Sequence, residues 1–138
     1  MNENVQQNIA YNWNAPLLPG TIVCANYGDF NGEKRVGLFF VIYDEQIDNN
    51  VFSKKNVVAL KITSQTTLVS NYVATISNIK NPFLDKPCMV ACSKVHVLHK
   101  EDNVYKVLGM VDPSTCKKVF QSYFKFISET ERQLIDRI

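Results

Sequence analysis

From Thr21 onward the chain alternates short apolar runs with polar punctuation, which is the pattern of strands and tight turns. Thr21–Asn26 (TIVCAN) predicts a first strand. Tyr27–Gly37 follows as a loop carrying Gly28, Asp29, Asn31-Gly32, Glu33, Lys34 and Arg35. Leu38–Tyr43 (LFFVIY) lacks the usual alternation, as expected for a central strand buried on both faces. Asp44–Asn56 is polar, with a turn signal at Asp48-Asn49-Asn50. Asn56–Thr63 (NVVALKIT), Leu68–Ser77 and Met89–Leu98 read as the third, fourth and fifth strands, with a two-proline loop at Asn78–Pro87. Glu101-Asp102-Asn103 turns the chain into a last strand, Tyr105–Gly109.

After Gly109 the period changes. Asp112-Pro113 supplies an N-cap followed by proline at the first helical position. Cys116, Val119, Phe120, Tyr123, Phe124 and Ile127 then recur at three and four, the spacing of an amphipathic helix. Ser128-x-x-Glu131 is a capping-box pattern, which predicts a second short helix with Leu134, Ile135 and Ile138 on its apolar side. The expected fold is mainly β with a C-terminal α-helix, an α+β arrangement in which a small, partly open barrel or strongly bent sheet carries the helix.

The 138 residues suit one domain. Five Asn, two Gln and a single charge in the first fourteen residues predict a flexible arm over residues 1–18, pinned by Tyr11 and Trp13, with the domain at 19–138. The longest apolar run, Val36–Ile42, is far short of the ~20 residues that span a bilayer. No basic residue precedes Lys34, so a secretory signal is not expected and a cytoplasmic location is.

A net charge of +2 does not announce a nucleic-acid binder, but its distribution is uneven. Residues 1–33 carry three acids and no base, and the remainder carries 15 bases against 10 acids. Cys24, Cys88, Cys92 and Cys116 read as free thiols. Cys88, Cys92, His96 and His99 are zinc-ligand types, but on a strand residues four apart lie roughly 13 Å from one another, too far to share an ion. No metal and no cofactor is therefore expected.

Four groups can carry chemistry, and each also has a plain structural reading. Glu33 with Lys34 and Arg35 offers a proton acceptor beside two cations, or a solvated hairpin. Thr63-Ser64-Gln65-Thr66-Thr67 can donate hydroxyls to phosphate oxygens, or form a polar turn. His96 and His99 offer an acid or base, or exposed strand residues. Tyr27, Phe30, Tyr72 and Tyr105 can stack on unpaired bases, or simply pack.

The order of these pieces resembles the MazF/PemK-type toxins of toxin–antitoxin systems. Pro19-Gly20-Thr21-Ile22-Val23 is similar to their "GDIV" opening. Gly32-Glu33-Lys34-Arg35-Val36-Gly37 before LFFVIY is similar to their charged first loop and second strand. The run from Val57 to Ser64 (VVALKITS) resembles "vvapiTS", Val90–Leu98 resembles "vrCDQiRti", and Val107–Val111 resembles the "iGxls" lead into the terminal helix. Two departures lose the family's arginine and aspartate, Gly37-Leu38 where the family has "RP" and Ser93 after Cys92 where it has Asp; Ala91 also stands at a basic position of the fifth-strand motif and His96 in place of its later arginine.

The resemblance implies an SH3-like barrel, usually a homodimer, that cleaves single-stranded RNA without a metal. The ribose 2′-OH attacks the adjacent phosphate, leaving a cyclic phosphate and a 5′-OH. It further implies an antitoxin protein that covers the site with a segment folding on binding. Carried onto this chain, Arg35 with Lys34 stabilises the phosphorane, Thr63 and Ser64 bind the scissile phosphate, and Glu33 or His96 moves the proton. Tyr27 and Phe30 contact the bases. The alternative, motivated by the two departures, is a non-catalytic barrel from a phage or mobile element that binds a protein or nucleic acid.

Overall fold

The computed structural model describes residues 15–28, 31–47, 55–64 and 72–137. Its elements are β1 (Thr21–Gly28), β2 (Lys34–Asp44), a 3-10 turn (Glu45–Ile47), β3 (Asn56–Thr63), β4 (Val73–Ile76), β5 (Cys88–His99), β6 (Val104–Met110) and α1 (Pro113–Asp136). The strands form one antiparallel sheet in the order β4-β5-β3-β2-β1-β6. The expected class, mainly β with a C-terminal helix, is what the chain forms.

The strand β2 is longer than its apolar run. Its ladder with β1 continues past Gly37 to pair Tyr27 with Arg35 and Gly28 with Lys34. The expected loop Tyr27–Gly37 is thus shortened to a hairpin tip, because backbone pairing does not require apolar side chains where the strands are exposed. The described part of the fourth strand is Val73–Ile76, and Leu68–Asn71 lie outside the described residues.

Each face of the sheet carries its own core. On one face Ile22, Phe40, Leu60, Ile76, Val90 and Cys92 pack beneath Val119 of α1. On the other, Leu17, Val23, Phe39, Val41, Val57 and Leu98 close on each other. Phe39, Phe40 and Val41 are all fully buried, which is why that stretch of sequence shows no alternation. Extra residues in β2, β5 and β6 shift the register against their partners, and such bulges bend a sheet so that one face can curl inward.

The helix begins as the sequence predicts. Asp112 accepts from the backbone N–H of Thr115 at 3.2 Å and from its hydroxyl at 2.5 Å, and Asn81 donates to the same carboxylate at 3.0 Å. Those bonds, led by the Thr115 hydroxyl, hold the Asp112 carboxyl at a pKa of about 2. The expected restart at Ser128 does not occur: α1 runs unbroken for 24 residues. No Gly or Pro interrupts it after Pro113, so the capping-box residues Ser128 and Glu131 are simply neighbours one turn apart.

A buried ion pair ties three segments together. The ammonium of Lys100 stands 2.7 Å from Asp44 Oδ2, with both side chains fully buried. It also donates to the carbonyl of Ala15 at 3.3 Å and to the Gln46 side chain. The same carboxylate accepts from the backbone N–H groups of Leu17 and Gln46 at 2.7 and 2.9 Å. Residues 15–17, the end of β2 and the β5–β6 turn thereby share one polar knot, and Leu17 is buried with them. Lys100→Met keeps the aliphatic stem but leaves the carboxylate buried without its cation. We expect it to lower unfolding free energy by about 3–5 kcal/mol in denaturant titrations.

Candidate functional site

The curled face opens at one end into a cluster that no single sequence motif announces. Lys61 of β3 stands opposite Phe39 of β2, and Tyr27 of β1 and His96 of β5 close around them. The three rings meet edge to face, with centroids 5.4 Å apart for Tyr27–Phe39, 5.5 Å for Tyr27–His96 and 5.1 Å for Phe39–His96. The Lys61 ammonium lies over two of them, 5.5 Å from the Tyr27 centroid and 5.6 Å from that of Phe39. It donates to the carbonyl of Ile62 at 2.6 Å.

An irregularity in β5 puts His96 there. Leu60 pairs with Val95, but the next residue, Lys61, pairs with Ala91, so Cys92, Ser93 and Lys94 bulge out of the ladder. An unbroken ladder would set Ser93 opposite Ala59 and turn His96 toward the helix side. With three residues inserted, His96 pairs with Ala59 and faces the same way as Lys61. Cys92 meanwhile packs in the core under α1, and His99 ends β5 opposite Asn56, with Nδ1 3.3 Å from Asp102 Oδ2. The four zinc-type residues of this strand are thus spread along its length and over both faces.

Gly37 makes room for the lysine. A Cβ at this position would lie 2.8 Å from Lys61 Nζ and 3.3 Å from a Tyr27 ring carbon. Beside it opens a cleft of about 340 Å³, lined among others by Gly37, Lys61, Thr63, Ser64, Asp85 and Lys86. Thr63 ends β3 on the same face as Lys61, two residues on, and Ser64 is exposed just beyond it. The electrostatics of the cluster are cationic. Burial, reinforced by the charge of Lys94, lowers the Lys61 ammonium below its ordinary 10.5. Burial, then Lys61, then Lys94, holds the His96 imidazole below 6.5.

No family model matches the sequence, and no curated protein does. Solved structures do match. A mycobacterial endoribonuclease in complex with its cognate antitoxin superposes with a TM-score of 0.61 at 16% identity, over 81% of this chain and 95% of the other. The MazE–MazF structure from Deinococcus radiodurans gives 0.62 at 11% identity, over 83% and 98%. The Mycobacterium tuberculosis toxin MazF-mt6 gives 0.56 at 12%, over 76% and 96%. The fold is that of the MazF toxins.

Within this MazF-like fold the expected site residues divide into two groups. Tyr27, Thr63 and His96 share the curled face, and Ser64 lines the cleft. Glu33, Lys34 and Arg35 stand on the exposed hairpin, with Arg35 3.7 Å from Glu33 and the two side chains 55% and 71% exposed. Strand alternation points Arg35 to the side of Tyr27, its ladder partner. Tyr72 instead packs on α1, donating to Glu129 and meeting Phe126 at 5.3 Å. Phe30 and residues 65–67 lie outside the described residues. Lys61 is the group that sequence reasoning misses. Its one signal is a cation at an inward position of an otherwise apolar strand, two before Thr63.

His96 is expected to titrate below pH 6.5 by NMR, and Lys61→Met is expected to bring its pKa upward. The sign for stability follows. As pH falls from 6.5 through the folded-state value, the unfolded chain takes up this proton first, so stability drops. Above 6.5 the effect is absent.

Proposed function

We propose that this chain is a MazF/PemK-like toxin, a metal-independent endoribonuclease that cleaves single-stranded RNA. The reading is carried by one observation. Lys61, Thr63 and Ser64 line one open cleft at the end of β3, and the His96 imidazole, held below its ordinary pKa by burial and then by Lys61, stands against Tyr27 and Phe39 on the neighbouring face. In this reading Thr63 and Ser64 donate to the non-bridging oxygens of the scissile phosphate. His96 or Glu33 accepts the proton of the ribose 2′-OH. The 2′-oxygen forms its bond to phosphorus, the bond to the 5′-oxygen breaks, and that oxygen takes a proton from water and leaves as a 5′-OH. Cationic groups stabilise the charge that gathers on the phosphorane, with Arg35 and Lys34 approaching from the hairpin. Tyr27 and Phe30 contact flanking bases. The chain works as a homodimer, and an antitoxin partner silences it by covering this face. The structural neighbours include a toxin bound to its cognate antitoxin and a MazE–MazF pair, which supports the partner.

The position of Arg35 on an exposed hairpin, ion-paired with Glu33, favours the second reading, a barrel that binds nucleic acid or protein without cutting. One experiment separates the two. Purified protein is incubated with a long single-stranded RNA in EDTA, beside Arg35→Ala and Thr63→Ala, and the ends are mapped. The nuclease reading predicts specific cuts with 5′-OH ends, reduced about 100-fold or more in Thr63→Ala. RNA left intact at high protein concentration contradicts it and leaves the binding module.

A further inference from the structure

Three lysines of this molecule have well-defined surroundings, and one of them is unlike the others. Lys100 is fully buried against Asp44 at 2.7 Å, and Lys55 reaches Glu101 at 2.9 Å. Lys61 is half-buried, yet among the described residues no carboxylate pairs with it: its contacts are a backbone carbonyl, two ring faces and the repulsion of Lys94. A cation withdrawn from water without an anion is costly, and proteins ordinarily pair it. This one is also fixed. Gly37 leaves its seat open, its ammonium lies over the Tyr27 and Phe39 rings, and it lines a cleft that contains two hydroxyl residues and the Asp85 carboxylate.

We propose that Lys61 is the seat of a nucleic-acid phosphodiester, with Thr63, Lys94 and His96 completing the anion site. A single diester charge compensates the ammonium, and Thr63 supplies a hydroxyl to a non-bridging oxygen. The cleft is open to solvent, so the chain can continue on either side of the phosphate, toward Lys86 in one direction and the Lys34–Arg35 hairpin in the other. The vacancy at position 37, where the resembling family carries arginine, is thus filled from the neighbouring strand: the positive charge is kept and its supporting strand changes. The binding claim stands by itself. Only its consequence for cleavage rests on the nuclease reading.

The test uses a fluorescent single-stranded oligodeoxynucleotide, which has no 2′-OH and cannot be cut by the proposed route. Anisotropy is measured across a salt series for the full chain, Lys61→Met, Lys61→Arg, Gly37→Ala and the exposed helix control Lys117→Met, each checked for folding by thermal melting. We expect Lys61→Met to weaken binding roughly tenfold and to lower the salt slope by about 0.7. Gly37→Ala, whose Cβ displaces the ammonium, should also weaken binding, Lys61→Arg, which keeps the charge, should retain more binding than Lys61→Met, and Lys117→Met should stay within about twofold. No binding by the full chain, or equal losses in Lys61→Met and Lys117→Met, overturns the site. RNA cleavage by the same proteins is scored separately. Binding through Lys61 without cleavage overturns only the nuclease reading. Cleavage undiminished in Lys61→Met, with binding intact, overturns only the Lys61 site.

Discussion

Strand β2 sends Phe39 and Val41 into one core and Phe40 and Ile42 into the other, and this double burial fixes the register of the whole sheet. A slip of one residue would exchange the two sets, and both are already packed against neighbours on β1 and β3. The register can therefore be reset only where the ladder is broken. The break between Leu60 and Lys61, where β5 gains three residues, is the place where the ladder turns His96 around and brings Lys94 near. The candidate face thus depends on the largest of the sheet's register shifts.

From that constraint the chemistry follows in sequence. Once His96 faces inward beside Phe39 and Tyr27, and Lys61 takes the space over Gly37, two basic groups share a partly dry pocket. Burial, then the charges of Lys61 and Lys94, lower the proton affinity of the imidazole, which favours its neutral form. A neutral imidazole accepts a proton, and a cation without a carboxylate attracts a phosphate. The polar knot of Lys100 and Asp44 lies at another edge of the same face, next to Leu17, and keeps the chain before β1 fastened to the second core. The two lysines are opposite cases: Lys100 is fully buried and paired, and half-buried Lys61 has no carboxylate partner among the described residues.

Much of the fold was legible in the sequence because it rests on periodicity. The apolar run Leu38–Tyr43, the third strand Asn56–Thr63 and the Asp112-Pro113 helix start all stand where the pattern sets them. The extension of β2 through Arg35 was not legible, since exposed ladder residues carry no apolar signature. The continuity of α1 through Ser128 was obscured by a capping-box pattern that tertiary context does not use. The site was legible in part. Thr63 and His96 were found as residue types near strand ends, but their common face depends on the three-residue bulge, and composition says nothing about bulges. Lys61 was hidden inside an apolar strand. It gains its meaning only from a glycine 24 positions earlier, whose missing side chain leaves the space that it occupies.

The most direct test of this account is a crystal structure of the protein with a single-stranded oligodeoxynucleotide. The account predicts a phosphate within about 3 Å of both Lys61 Nζ and Thr63 Oγ1, with His96 facing the adjoining sugar. Phosphates ordered only along the Lys34–Arg35 hairpin or on α1, with nothing bound at Lys61, would contradict it.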